Sequence, residues 1–214
     1  MTPRIVLCMP TTAHRAVSMY WALHFRLLPL PYLHRVIVRS DYRVDVNREA
    51  LAEAALAVPG ATHLLWWDDD IWPAREGIRA LLRHQYPITA GPYRDKQGRP
   101  SLMRWHDGRH DRVDRLQPPG PGQHLYADAV GLGWCLMDLR IFRAVPRPWF
   151  QFAADLGEDC YFFAKVHDVW RLPVLVDGDA ACGHEMPVRL TVDNATEPVW
   201  SGLGQVVEVS PPAS

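Results

Sequence analysis

Apolar positions in the first half of the chain fall into two alternating rhythms. Short apolar runs at 5–9, 62–67 and 88–90 fit buried strands, and 33–38 alternates as a further strand. Between them, 14–28, 46–58 and the stretch from Pro73 to about Tyr86 carry helical spacing. Pro29, Pro31 and Pro59-Gly60 stop the first two helices, and Pro73 suits the first turn of the third. Strand and helix alternating at this interval predict a parallel α/β sheet wound like a Rossmann half. After Gly91 the rhythm breaks. Residues 92–123 are rich in Gly, Pro, Arg and His, with short strands expected near 102–105 and 112–116 and a plain loop at 118–122. Regular structure resumes over 124–137, a helix over 158–169 and a strand over 172–176, and the tail beyond Pro187 is expected to be loose.

Composition narrows the class without naming a function. The 214 residues are 48% hydrophobic and 22% charged, with a formal net charge of -1, which is ordinary globular composition without an overall field for polyanions. One domain over 1–186 with a C-terminal tail at 187–214 is the expected organisation. The basic residues are arginine except for Lys96 and Lys165. Cys8, Cys135, Cys160 and Cys182 form no Cys-x-x-Cys pair and read as buried thiols in a reducing compartment. No apolar stretch reaches membrane-spanning length, so a cytoplasmic protein without a membrane span is expected.

The informative chemistry is Asp68-Asp69-Asp70, at the end of the run Leu64-Leu65-Trp66-Trp67. Three adjacent carboxylates raise one another's pKa unless a cation or hydrogen bonds compensate, and the carboxyl end of a strand is where open α/β sheets bind ligands. Hard oxygen donors suit Mg²⁺ or Mn²⁺ carrying a phosphorylated substrate. No Gly-x-x-x-x-Gly-Lys-Ser/Thr or Gly-x-Gly-x-x-Gly loop follows the first strand, so phosphates would rely on a metal. Glu158-Asp159 open a helix, where acids complement the dipole or, functionally, take a proton from an attacking hydroxyl. His184 offers a third metal ligand that shifts the preference toward Mn²⁺. Gly131 and Gly133 mark either tight packing or close approach of a ligand.

The order of Leu-Leu-Trp-Trp-Asp-Asp-Asp-Ile-Trp-Pro, Ile-Thr-Ala-Gly-Pro-Tyr-Arg, Val-Gly-Leu-Gly-Trp-Cys-Leu-Met, Pro-Arg-Pro-Trp-Phe, Gly-Glu-Asp-Cys-Tyr-Phe and Cys-Gly-His resembles the family-2-like GT-A glycosyltransferases over about 5–184. The resemblance implies a GT-A fold, with a Rossmann-like, mostly parallel central sheet flanked by helices and an irregular acceptor-side insertion. It implies a nucleoside-diphosphate sugar donor, UDP-linked by analogy, and Mn²⁺ or Mg²⁺. It gives Asp159 the role of base, with Glu158 beside it. Asp70 and His184 become metal ligands, with Asp68 shared between metal and nucleotide. Pro10, Thr11, Thr12, Arg48, Asp69, Gly131 and Gly133 fall on the donor side. The acceptor is a saccharide or a modified nucleic-acid base, met by Tyr93, Arg94, Arg104 and Trp105, the last by stacking. A catalytically inactive sugar- or nucleotide-binding module and a sugar-phosphate nucleotidyltransferase are the competing readings.

Overall fold

The computed structural model describes residues 2–11, 19–152 and 157–185, together with the backbone of 188–190 and 196–198; Met19 and Tyr20 are described by backbone only. In chain order the elements are β1 (Ile5–Thr11), α1 (Met19–Leu27), β2 (Leu33–Ser40), α2 (Val44–Leu56), β3 (His63–Trp67), β4 (Ile71–Pro73), α3 (Gly77–Arg83) and β5 (Ile88–Ala90). There follow β6 (Leu102–His106), β7 (Arg109–Arg115), β8 (His124–Ala127), β9 (Ala129–Val130), β10 (Trp134–Asp138), α4 (Leu139–Ala144), α5 (Glu158–Trp170), β11 (Val174–Asp177) and β12 (Cys182–His184). β13 (Val188–Leu190) and β14 (Thr196–Pro198) pair antiparallel, so the segment expected to be loose contains a small ladder.

The central sheet has seven strands in the order β2-β1-β3-β10-β5-β11-β8. β1 pairs parallel with β2 and β3, while β10 runs antiparallel between β3 and β5. β11 returns to the parallel direction beside β5, and β8 closes the far edge antiparallel. The sheet is therefore mixed, with its β2, β1, β3, β5 and β11 strands sharing one direction.

The apolar runs dictate this arrangement because the pleat sends alternate residues to opposite faces. Val6, Cys8, Leu64 and Trp66 join one core, which receives α2, α4 and α5 through Leu51, Phe142, Phe162 and Phe163. Ile5, Leu7, Met9, Leu65 and Trp67 join the other, against α1 and α3 through Trp21, Ile78 and Leu81. Burial pushes the thiols of Cys8, Cys135 and Cys160 up, and the four cysteines are free.

One local expectation is corrected, and two stretches gain detail. Pro73 does not open a helix but ends β4, opposite Cys182 of β12, and α3 starts only at Gly77. The regular structure expected over 124–137 is three strands, whose residues serve two different sheets. α4 was not anticipated, although Asp138 accepts a hydrogen bond from the Arg140 backbone N–H at 2.8 Å, an ordinary N-cap. Among the described residues no helix is long and apolar enough to cross a membrane.

Candidate functional site

β1 and β3 end side by side, which brings Thr11 and the three aspartates to one rim of the sheet. The Asp68 N–H donates to the Gly133 carbonyl at 2.9 Å and the Ile71 N–H to the Asp68 carbonyl at 3.1 Å, so the acidic triplet is held in a turn between β3 and β4. From there the three side chains diverge. The Thr11 hydroxyl donates to Asp69 Oδ2 at 2.7 Å. Asn47 steadies the end of β1 by donating to the Thr11 carbonyl at 2.9 Å. Pro10 is buried in β1, and Thr12 lies outside the described residues.

Arg48 is the organising cation. Its Nη2 donates to both Asp68 oxygens at 3.0 and 3.1 Å, and its Nε to Glu158 Oε1 at 3.1 Å. The guanidinium also stands 5.2 Å from the centre of the Trp66 ring. Burial works against its charge, but Asp68 and Glu158 outweigh that and raise its pKa. For Asp68 the balance goes the other way: burial, with Asp70 adding to it, raises the carboxyl pKa against the pull of Arg48. Nη1 of Arg48 is buried without a hydrogen-bond partner. One side chain thus ties the end of β3 to the start of α5.

Asp70 faces a different group. Its Oδ2 lies 3.2 Å from His184 Nε2 and 3.2 Å from Lys96 Nζ. The backbone aligns them, because β12 pairs His184 with Ile71 and the Glu185 N–H donates to the Asp70 carbonyl at 2.7 Å. His184 Nδ1 lies 2.8 Å from the Arg94 carbonyl, which can only accept, so Nδ1 carries the proton. Nε2 then meets a carboxylate oxygen at close range, an arrangement that requires a cation on Nε2, either a proton or a metal. Burial lowers the pKa of His184, but Asp70 outweighs it and the net shift is upward. An N,O donor pair at 3.2 Å also fits two neighbouring ligands of one ion, for which metal–ligand distances of about 2.1 Å give a separation of about 3 Å. Asp68 is held by Arg48 instead and does not join Asp70 and His184.

Asp159 stands in the first turn of α5, with Oδ1 accepting from the Cys160 N–H at 2.7 Å. Burial, with Glu158 adding to it, pushes its carboxyl up to about 6. It lines a pocket of about 260 Å³ with Tyr93, Ser101, Arg115 and Gly131. A second pocket of about 510 Å³, lined by Tyr93, Arg94, Lys96 and His184, shares Tyr93 with it. Tyr93 is the partition: its hydroxyl accepts from the Gly133 N–H at 3.1 Å. A Cβ on Gly131 would lie 2.2 Å from that hydroxyl, and one on Gly133 would lie 2.8 Å from Ile71 Cγ1. Both glycines therefore have a packing reason, the seating of the Tyr93 phenol.

The acceptor expectations divide. Tyr93 and Arg94 line the pockets. Arg104 points outward from β6 and donates to the Tyr126 carbonyl at 3.2 Å. Trp105 is only 4% exposed, packed inward on the same strand, so it presents no face for a base to stack on. Lys96 and Arg115, read from sequence only as members of a basic stretch, also reach the two pockets. A larger cavity of about 1060 Å³ lies at the opposite rim of the sheet, near Pro3, His63, Tyr86 and Asp138, away from the acidic groups.

No protein-family model matches the chain, and no curated protein matches it. Solved structures do. A197 from STIV aligns at a TM-score of 0.64 and 17% identity, covering 98% of this chain and 100% of that one. GalNAc-T7, crystallised with UDP, GalNAc and Mn²⁺, aligns at a TM-score of 0.54 and 13% identity over 85% of this chain. This chain spans 44% of that one. The fold is GT-A-like. At such identities the likeness reaches the fold alone, and a family-2 assignment goes beyond it.

Among the described residues, one group of three metal-capable side chains comes together elsewhere, namely His110, His167 and Asp168, whose ligand atoms lie within 4.8 Å of one another. That cluster can hold a divalent cation.

Proposed function

We propose that this protein transfers a sugar from a nucleoside-diphosphate sugar, UDP-linked in the favoured case, to an acceptor hydroxyl. The observation that carries the reading is the meeting of Asp70–His184, Arg48–Asp68–Glu158 and Asp159 at one rim of a GT-A-like sheet. Asp70 and His184 would hold the divalent ion, Mn²⁺ before Mg²⁺ because one donor is an imidazole. When bound, that ion neutralises the charge developing on the departing diphosphate.

The chain's own residues do the rest. Asp68, Asp69 and Thr11 form the rim where the nucleoside would rest, with Arg48 fixing the orientation of Asp68. Pro10, Thr12, Gly131 and Gly133 keep their donor-side assignment as part of the same proposal. Asp159 takes the proton of the acceptor hydroxyl, and its raised pKa makes it a stronger base than an ordinary aspartate while leaving it mostly ionised at neutral pH. Glu158, paired to Arg48, orients the start of α5 for that step. The acceptor enters beside Tyr93, with Arg115 and Arg94 as its cationic neighbours, and is a saccharide or a modified nucleic-acid base.

A thermal-shift panel of UDP, GDP, CDP, TDP and ADP, each with and without Mn²⁺, tests the donor half. A rise in melting temperature for one nucleotide that depends on Mn²⁺ and disappears in His184→Gln is the expected result. No rise for any nucleotide would overturn the transferase reading and favour a module without nucleotide affinity.

A further inference from the structure

A second metal-capable cluster lies at the other end of α5 from the proposed base. His167 and Asp168 occupy the last turn of α5, and His110 projects from β7, the outer strand of the small sheet β7-β6-β9. Eight residues separate Asp159 from His167, about 12 Å along a helix axis, so this cluster is not an extension of the acidic rim.

Its hydrogen atoms can be assigned from its neighbours. His110 Nε2 and His167 Nδ1 are 3.0 Å apart, with the two rings at 89°. Arg171 Nη1 lies 3.4 Å from the same His167 Nδ1, and a guanidinium only donates. His167 Nδ1 is therefore an open lone pair, and His110 Nε2 carries the proton between the rings. His110 Nδ1 in turn lies 3.7 Å from Asp168 Oδ1. Moving the His110 proton from Nε2 to Nδ1 leaves two nitrogen lone pairs converging, with a carboxylate oxygen of Asp168 as the third donor within 4.8 Å. Trp105, with its ring 4.9 Å from His110, walls the inner side.

We infer that His110, His167 and Asp168 form a Zn²⁺-class metal site that clamps the β6–β7 hairpin to the C-terminal end of α5. Two imidazoles and one carboxylate suit Zn²⁺, Co²⁺, Ni²⁺ or Cu²⁺, whereas Mg²⁺ and Mn²⁺ prefer oxygen-rich sets. This separates the cluster chemically from the Asp70–His184 pair. Its consequence is mechanical. Arg115 at the end of β7 and Asp159 at the start of α5 line one pocket, and a clamp between the same two elements fixes the width of that pocket. The site stands whether or not the protein transfers a sugar.

Calorimetric titration with ZnCl₂ alone tests it, on the wild type and on His110→Gln, His167→Gln and His184→Gln, each first checked for an unchanged melting temperature without metal. The expected result is a Zn²⁺-binding event that either clamp substitution weakens roughly tenfold or more and that persists in His184→Gln, apart from any event at the Asp70–His184 pair. Hydrogen exchange in β7 should slow on adding Zn²⁺ to the wild type and not to His110→Gln. Arg171→Gly, which removes the neighbouring positive charge, should tighten Zn²⁺ binding. Equal Zn²⁺ affinity in wild type and both clamp variants, or binding lost only in His184→Gln, would overturn the inference and leave His110–His167 as a plain hydrogen bond. Should a clamp variant lose stability without metal, the hydrogen-exchange response of the wild type decides alone, and an unchanged β7 overturns the clamp.

Discussion

Replacing Asp159 by asparagine should make the protein more stable at neutral pH, although the same change removes the proposed base. The carboxyl is pushed up from 3.8 to about 6, chiefly by burial. A pKa raised on folding means the folded state prefers the protonated acid. Relative to a neutral asparagine, the wild type is thus unpenalised below the ordinary carboxylate range and loses stability as pH climbs through about 6. Two pKa units at about 1.4 kcal/mol each set a ceiling near 3 kcal/mol. Coupling to Glu158 and the partial opening of Asp159 to its pocket reduce the expectation to about 1–2 kcal/mol. For a chain of this size that is roughly 3–6 °C in melting temperature. Asparagine keeps an Oδ1 acceptor for the Cys160 N–H, so the helix start is preserved. The assay is chemical or thermal unfolding of both proteins from about pH 3 to about pH 8, a span that brackets both carboxyl pKa values. The gap should be near zero at the acid end and widen to a plateau above pH 6, while transfer by the variant is abolished. A gap independent of pH, or a variant less stable than wild type at neutral pH with intact secondary structure, would refute the reasoning.

Other substitutions address the remaining contacts. Arg48→Met leaves Asp68 and Glu158 without their shared cation and should cost about 3–5 kcal/mol by urea unfolding, with Asp68→Asn and Glu158→Gln in the same chain restoring part of it. Gly131→Ala should cost about 1–3 kcal/mol through collision with the Tyr93 hydroxyl, and adding Tyr93→Phe should recover some of that loss. Mn²⁺ affinity by calorimetry should fall as pH drops through the raised pKa of His184, because the proton on Nε2 competes with the metal. In the metal-free protein the His184–Asp70 contact contributes stability below the ordinary histidine pKa and loses it as pH rises through the raised value, the opposite direction from the metal affinity. Arg171 caps α5 at φ 50°, so Arg171→Gly should gain about 0.5–1 kcal/mol in thermal unfolding.

What the sequence displays of this fold is what depends on near neighbours. The runs at 5–9 in β1 and 64–67 in β3 are apolar at every position because both faces are covered, and that is visible without knowing the partners. The acids at the end of β3 and the start of α5 are visible for the same reason, since strand ends and first helical turns are local. The direction of β10 is not, because Trp134–Asp138 would read alike inserted either way. Nor is the fate of Pro73, set by pairing with Cys182 more than a hundred residues on. Trp105 shows a missed local signal: on a strand it must face opposite to Arg104, so the two could not both meet one acceptor. Arg48 was placed on the nucleotide side, and only the packing of α2 beside α5 reveals that it spans two carboxylates. Lys96 reaches Asp70 through an irregular loop whose course no periodicity encodes.

The place of β10 also bears on how the chain must be made. β3 carries Leu64, Leu65, Trp66 and Trp67 in the middle of the finished sheet, yet one of its two neighbours is not synthesised until Trp134–Asp138 emerge. Throughout that interval a bulky apolar strand offers a bare hydrogen-bonding edge, the kind of edge that recruits other chains. Fragments cut before Trp134 should therefore aggregate.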